Sequence, residues 1–331
     1  MKSNVNYIRK DEKPLLIMMC GLPGSGKSTS AKTITVDGVK PIIHSSDKLR
    51  EEMYGNAEIQ GDNNKLFAEL HKRIKADLKC GNNVIYDAAN IKKKNRIAFL
   101  KELKNIPCHK DCIVMATEYK ACEYNNAHRE RKVPPEVIRR MYLNFQPPHE
   151  SEGFRTIIYE FTYLTNDNKL VSEQPNDKYS LSNFFKVANA FNQENSHHKL
   201  TLGGHCAQAG AYIQEKQPDN FWLLIAALLH DAGKLDTKSR LNSRGEVDGE
   251  CHYFQHHCTS AYFVMFVLDN IEKIWGKPCP MSYITNLVYY HMHPYLAWKQ
   301  SQRALQRDKK LLGDKVFDDI MLLHEADVNA H

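Results

Sequence analysis

A chain of 331 residues exceeds one average domain and suggests two. With 42% hydrophobic and 25% charged residues, it reads as globular rather than disordered or fibrous. Its longest apolar run, Phe221–Leu229, is too short to span a bilayer as a helix. The net charge of +6 is uneven: residues 1–165 hold 28 Lys/Arg against 20 Asp/Glu (+8), and residues 166–331 hold 17 against 19 (−2). The modest excess that would suit a polyanion therefore lies in the first half. Nine cysteines lack paired zinc spacing, and the polar N-terminus is no signal peptide. Both features lead to an expectation of a reducing cytoplasmic location without membrane attachment.

Taken in chain order, the first half alternates strand and helix signals. The apolar run of residues 15–20 precedes Gly21-Leu22-Pro23-Gly24-Ser25-Gly26-Lys27-Ser28-Thr29, which fits the phosphate-binding loop G-x-x-x-x-G-K-[ST] at every fixed position. The glycines let successive N–H groups point at one anion, and the following helix adds the positive end of its dipole. Gly21, Gly24, Ser25, Gly26, Lys27, Ser28 and Thr29 are thus the expected ATP (or GTP) contacts. Lys27 reaches the β- and γ-phosphates, and Ser28 holds Mg²⁺. Strands are expected at 41–44, 83–87, 112–116 and 156–163. Helices are expected at 47–54, 63–80, 92–105, 119–130 and 135–146. This pattern predicts a parallel sheet flanked by helices.

In such a sheet, ligands sit at the carboxyl ends of the strands. Asp47 follows the second strand, where it would accept a proton from an attacking hydroxyl. Arg50, one turn later, would clamp a second phosphate. Asp87 ends the next strand on the same edge. An arginine-rich stretch, His128-Arg129-Glu130-Arg131-Lys132, suits a lid that neutralises charge developing in phosphoryl transfer.

Residues 166–180 read as a linker. Beyond them only helices are expected, near 181–193, 201–216, 219–231, 256–275, 281–292, 299–312 and 315–330. Eleven of the sixteen histidines fall in this half. His230-Asp231, placed at the end of a buried-type helix, stands out, with His205 upstream and His256, His291 and Asp327 downstream. Imidazole and carboxylate groups suit Mn²⁺, Fe²⁺, Ni²⁺, Co²⁺, Zn²⁺ or Mg²⁺.

Two resemblances follow from these motifs. Residues 14–165, with GLPGSGKST, Asp47-x-x-Arg50, Ile85-Tyr86-Asp87, the Arg-rich stretch before Val133-Pro134, and Glu152-Gly153-Phe154, resemble the polynucleotide 5′-kinases of phages and bacterial RNA-repair enzymes. The resemblance implies that Asp47 is the general base toward a 5′-hydroxyl. It also implies that Arg50 and Asp87 bind the acceptor, and that a lid arginine, Arg129 or Arg131, acts in transfer. Residues 195–331, with His198-x-x-x-Leu202-x-x-His205, His230-Asp231-Ala232-Gly233-Lys234, Phe254-Gln255-His256, His291 and Glu325-Ala326-Asp327, resemble the HD phosphohydrolase superfamily. This implies a metal held by His205, His230, Asp231 and Asp327. It also implies a second metal held by His256 and His291 with Asp231 bridging, and Lys234 on substrate phosphate. His252 and His257 compete with His256, and His293 competes with His291.

The expected architecture is therefore an α/β P-loop kinase domain (1–165), a linker (166–180) and an all-α HD domain (181–331). The expected function is healing of RNA or DNA ends: phosphorylation of a 5′-hydroxyl, and removal of a 3′-phosphate or opening of a 2′,3′-cyclic phosphate. No stretch suits a ligase, so sealing would fall to a separate protein. Rival expectations are a metabolite or nucleoside kinase fused to an HD nucleotidase, and a non-catalytic nucleotide-sensing module.

Overall fold

The computed structural model describes residues 6–330 apart from 9, 10, 57, 60, 174–176, 197 and 198. His198 and part of the expected linker thus lie outside the described residues. The chain divides into two compact units, Met1–Met141 with Pro148–Glu173 and Tyr142–Pro147 with Gln174–His331.

In the first unit, a two-residue strand β1 (Asn6–Tyr7) precedes β2 (Leu15–Cys20), in which every residue is buried. A strand apolar on both faces belongs at the centre of a covered parallel sheet. There follow α1 (Lys27–Ala31), β3 (Thr35–Val36), β4 (Ile42–Ser45), α2 (Ser46–Tyr54), α3 (Asn63–Lys79), β5 (Val84–Asp87) and α4 (Lys93–Glu102). The unit continues with β6 (His109–Thr117), α5 (Tyr119–Ala127), α6 (Pro135–Tyr142), β7 (Thr156–Leu164) and β8 (Leu170–Val171). The main sheet runs β4-β5-β2-β6-β7-β8, parallel throughout except for β7–β8. Strand β8 falls inside the stretch read as a linker. A tight turn, with Thr165 N–H donating to the Lys169 carbonyl (2.9 Å) and Asn168 at φ 58°, folds it back onto β7. β1 and β3 pair separately, and strands this short leave no periodic signal in the sequence.

One buried ion pair ties the sheet's carboxyl edge together. Arg96 on α4 donates from Nε and Nη2 to the two carboxylate oxygens of Glu152, both at 2.7 Å, with neither side chain exposed. Its Nη1 donates to the Asn90 carbonyl (3.0 Å), and the Asn90 amide donates to the Met19 carbonyl (2.9 Å). The loop after β5 is thereby fastened to the strand that leads into the glycine-rich loop.

The second unit comprises α7 (Leu181–Asn189), α8 (Leu202–Lys216), α9 (Phe221–Leu229), α10 (Lys234–Thr237), β9 (Ser239–Leu241), β10 (Val247–His252), α11 (His256–Trp275), α12 (Met281–Tyr290), α13 (Ala297–Gln300), α14 (Gln302–Leu312) and α15 (Asp314–Asn329). Helix α9, almost wholly apolar, packs among α8, α12 and α15. The unit is mainly helical, but not all-α: β9 and β10 form an antiparallel hairpin. Its strands are mostly exposed and polar, so they carry no apolar alternation for a sequence reading to find. Its turn closes through Asn242 N–H to the Glu246 carbonyl (2.8 Å), with Gly245 at φ 81°. Among the described residues no helix is long and apolar enough to cross a membrane.

Candidate active site and metal centre

The glycine-rich loop connects β2 to α1. Gly24 has φ 78°, and a Cβ there would come within 2.3 Å of the Cys122 carbonyl oxygen, so both conformation and space demand glycine. Two side chains brace the loop from β6 and α5. Thr117 Oγ1 donates to the Ser25 carbonyl (2.8 Å), and Asn125 Nδ2 donates to the Gly24 carbonyl (2.8 Å). Neither belongs to the motif, and sequence reading missed both.

Lys27 folds back into the loop, its Nζ donating to the carbonyls of Gly21 (3.1 Å) and Leu22 (2.7 Å) and to Ser25 Oγ (3.3 Å). Burial lowers its pKa, opposed by the charge of Asp87. Ser28 Oγ donates to Asp87 Oδ2 at 2.7 Å. The structure thus brings together a hydroxyl from the start of α1 and a carboxylate from the end of β5, a donor pair that fits Mg²⁺ beside a nucleotide. Ser28 and Thr29 are exposed.

Strands β4 and β5 pair in register, Ser45 opposite Asp87, which places the first turn of α2 beside this pair. Asp47 there is exposed, and Arg131 Nη1 contacts its Oδ2 at 2.5 Å. Of the two lid arginines, Arg131 therefore meets the expected base. Arg129 is half-buried, which lowers its pKa, and its Nε is buried with no hydrogen-bond partner among the described residues. Arg50 is buried (7% exposed). Its guanidinium donates to the Asn63 side chain (2.9 Å) and the Ile59 carbonyl (3.4 Å).

In the second unit, six expected ligands converge from helix ends. His230 and Asp231 follow α9, His291 follows α12, His256 opens α11, His205 lies in α8, and Asp327 lies near the end of α15. His205, His230, Asp231 and Asp327 form one buried cluster, and Asp231, His256 and His291 form a second. Asp231 is the hinge between them. Its Oδ2 lies 3.3 Å from His205 Nε2 and 3.5 Å from His230 Nε2, and its Oδ1 lies 3.1 Å from His256 Nε2 and 3.5 Å from His291 Nε2. Asp327 Oδ1 lies 3.1 Å from His205 Nε2 and 3.5 Å from His230 Nε2.

The outer nitrogens decide what these rings can do. Nδ1 of His205, His230, His256 and His291 lies 3.0, 2.8, 2.7 and 2.6 Å from the carbonyls of Ala330, Ala227, Tyr253 and Val288. A carbonyl only accepts, so each Nδ1 carries a proton, and Nε2 is the nitrogen that each ring turns toward the cluster, where it would coordinate a cation in place of a proton. Donor atoms 3.1–3.5 Å apart match the spacing that a cation bound at about 2.1 Å from each would impose. The residues fit a pair of divalent ions.

Burial alone would raise the Asp231 carboxyl pKa. Lys234 and the surrounding imidazoles instead hold it well below the ordinary value. Burial likewise acts to lower the His205 pKa, but Asp231 and Asp327 push it up to about 9. Lys234 Nζ sits 2.7 Å from Asp231 Oδ2 and donates to Gln193 Oε1 at 2.9 Å. Gln193 is fully buried, and sequence reading did not single it out.

Gly233 explains the close approach of the α9–α10 turn to α11. A Cβ there would lie 2.2 Å from Thr259 Oγ1 and 2.4 Å from the His256 carbonyl. Of the competing histidines, His252 pairs with Asp248 (3.0 Å). His257 is buried against the Tyr289 ring, and His293 packs against Tyr290 and Trp298.

A family model described as an AAA domain matches residues 16–148. No curated protein sequence matches the chain. Similar solved structures include a presumed kinase from Chloroflexus aurantiacus, with 15% identity over 48% of this chain and 93% of that one, at a TM-score of 0.36. A gluconokinase from Sinorhizobium meliloti 1021 has 15% identity over 45% and 83%, with TM-score 0.33. A chain of a Pnkp1/Rnl/Hen1 complex has 20% identity over 38% and 43%, with TM-score 0.29. The first unit is an α/β P-loop domain with a mostly parallel sheet flanked by helices, and the AAA-domain match falls almost wholly within it.

Proposed function

We propose that the chain heals nucleic-acid ends. Its first unit transfers the γ-phosphoryl group of ATP to a 5′-hydroxyl, and its second unit hydrolyses a 3′-phosphate or 2′,3′-cyclic phosphate. The observation that supports this reading is the presence, on one chain, of two separate residue constellations that each suit phosphate chemistry. One is a P-loop flanked by Asp87 at the end of β5 and by Asp47 in the first turn of α2, which follows the paired strand β4. The other is a six-residue His/Asp cluster hinged on Asp231.

At the kinase site the loop N–H groups and Lys27 hold the phosphates. Lys27 leaves the Gly21 and Leu22 carbonyls to do so. Ser28 and Asp87 would hold Mg²⁺, which would supply neutralisation of phosphate charge during transfer. Asp47 accepts the hydroxyl proton as the acceptor oxygen bonds to the γ-phosphorus and the bond to the β-phosphate oxygen breaks, releasing ADP. For that, Arg131 must leave Asp47, and the outgoing phosphoryl charge is its natural destination.

At the second site, His205, His230, Asp231 and Asp327 would hold one cation, and Asp231, His256 and His291 the other. The pair supplies Lewis acidity and activation of water. Lys234 presents an ammonium beside Asp231 for the substrate's phosphate, and Gln193 fixes its direction.

The test supplies 5′-hydroxyl oligonucleotides with labelled ATP, and 3′-phosphate or cyclic-phosphate oligonucleotides with Mg²⁺, Mn²⁺, Ni²⁺ or Co²⁺. Transfer should vanish in Lys27→Ala and Asp47→Ala, and hydrolysis in His230→Ala, each with the other activity kept. Transfer to nucleosides or sugars but to no oligonucleotide would establish the metabolite-kinase rival. Metal binding without turnover of any phosphoester would establish the sensing module.

A further inference from the structure

Arg50, the residue expected to meet the acceptor's nearest phosphate, is buried and turned to Asn63 and Ile59. An acceptor that is a polymer brings several phosphates, and each needs a cation. The carboxyl edge of the sheet supplies them from two neighbouring elements.

Along that edge the order is β4, β5, β2. β2 leads into the P-loop, β5 ends at Asp87, and β4 leads into α2 with Asp47. Lys48 follows Asp47 in the first turn of α2, and Lys92 and Lys94 stand at the start of α4, just beyond Asp87. All three are exposed, and none makes an ion pair among the described residues. Lysines at the positive end of a helix dipole weaken the helix rather than support it. The first turn of α4 has no acidic residue and its cap makes no side-chain hydrogen bond. Local structure therefore gives no reason for this placement.

The segment is also held in position. Gly21 N–H donates to the Ala89 carbonyl (2.9 Å), and Arg96 fixes the Asn90 carbonyl. The start of α4 is thus fastened to the P-loop strand. A hydroxyl placed between Asp47 and the γ-phosphate leaves its own chain to run over the ends of β4 and β5, where the lysines stand.

Resting on the kinase reading above, we infer that Lys48, Lys92 and Lys94 form the track for the acceptor's downstream phosphates, so that the preferred acceptor is a polynucleotide several residues long. The track binds backbone charge and reads no base.

The test compares the full-length parent chain with Lys48→Gln/Lys92→Gln/Lys94→Gln, glutamine being a good helix former. Kinetics are measured on 5′-hydroxyl acceptors from a 3′-nucleoside monophosphate to a 16-mer, and 16-mer binding is followed by anisotropy across a salt series. Losing three single-strand phosphate contacts should reduce the slope of log K against log[salt] by about 2, or about 16-fold less sensitivity between 50 and 200 mM salt. KM for the 16-mer should rise with kcat, KM for ATP and the mononucleotide acceptor unchanged. An unchanged 16-mer KM and salt slope would overturn the track. So would an equal loss on the mononucleotide. A parent that transfers to no oligonucleotide at all overturns the kinase reading, and the track with it.

Discussion

Glu152→Gln should destabilise the first unit specifically, although Glu152 is not among the residues proposed to hold nucleotide or acceptor. Its two oxygens accept from Arg96 at 2.7 Å each, with both side chains fully buried, and Oε1 also accepts from the His149 N–H (3.2 Å). The amide keeps the shape and one acceptor oxygen. It removes the negative charge and turns an N–H donor toward the guanidinium. Glu152 holds the Arg96 pKa above its ordinary value against burial, so Arg96 stays charged and uncompensated. Removing one partner of a buried pair costs about 3–5 kcal/mol. For a unit of this size that corresponds to a fall in Tm of about 6–20 °C. The effect should be local first. Hydrogen exchange on peptides covering β2, β5 and the loop at residues 88–91 should accelerate, while α9 and α11 in the second unit keep their protection. ATP affinity should fall with loop order. Arg96→Met/Glu152→Leu, which removes both charges, should recover most of the loss. A cost under about 1 kcal/mol for the single change would refute the claim that the pair is fully desolvated. Faster exchange confined to the second unit would refute its assigned place in the fold.

Gly24→Ala should abolish nucleotide binding by calorimetry while leaving the second unit's metal content unchanged, because its Cβ would strike the Cys122 carbonyl at 2.3 Å; retained affinity would show that the loop can shift. Metal content by elemental analysis should be two divalent ions per chain, one for each ligand group. His256→Ala should bring it to one, and Asp231→Asn should lower both; a His256→Ala protein still holding two would sink the paired-site assignment. Arg131→Met should reduce kcat for phosphoryl transfer by at least about tenfold with little change in KM for ATP. The opposite split would make Arg131 a nucleotide-binding residue.

The P-loop strand and the helices were legible because their signals are local. Leu15–Cys20 is apolar without alternation, α3 carries its buried Leu66, Leu70, Ile74 and Leu78 at helical spacing, and the loop's glycines are fixed by φ and contact. What failed to show were elements whose sequence carries no periodic pattern: the two-residue strands β1, β3 and β8, and the polar hairpin β9–β10. At the sites, residue types and strand ends identified Asp47, Asp87 and the histidines as candidates. Thr117, Asn125, Arg96 and Gln193 were invisible, and Glu152 showed only as part of a motif without its role, because each acts through a partner distant in the chain. Asn125 and Gly24 are 101 residues apart in sequence, and Arg96 and Glu152 are 56 apart.

By itself the sequence determined that a β–loop–α unit carries a phosphate-binding-loop motif, since a backbone that curls around an anion needs glycines at set positions, and that the second half gathers imidazole and carboxylate groups. Only the tertiary structure decided how those groups divide. Parallel pairing of β4 with β5 put Asp47 beside the Ser28–Asp87 pair and drew Arg131, not Arg129, to the carboxylate. Burial turned Arg50 toward Asn63 and Ile59. The packing of α8, α9, α11, α12 and α15 set four Nε2 atoms around the two oxygens of Asp231, while carbonyls at helix ends fixed each ring's proton on Nδ1. Direction and distance are properties of the packed chain, and residue identity alone does not contain them.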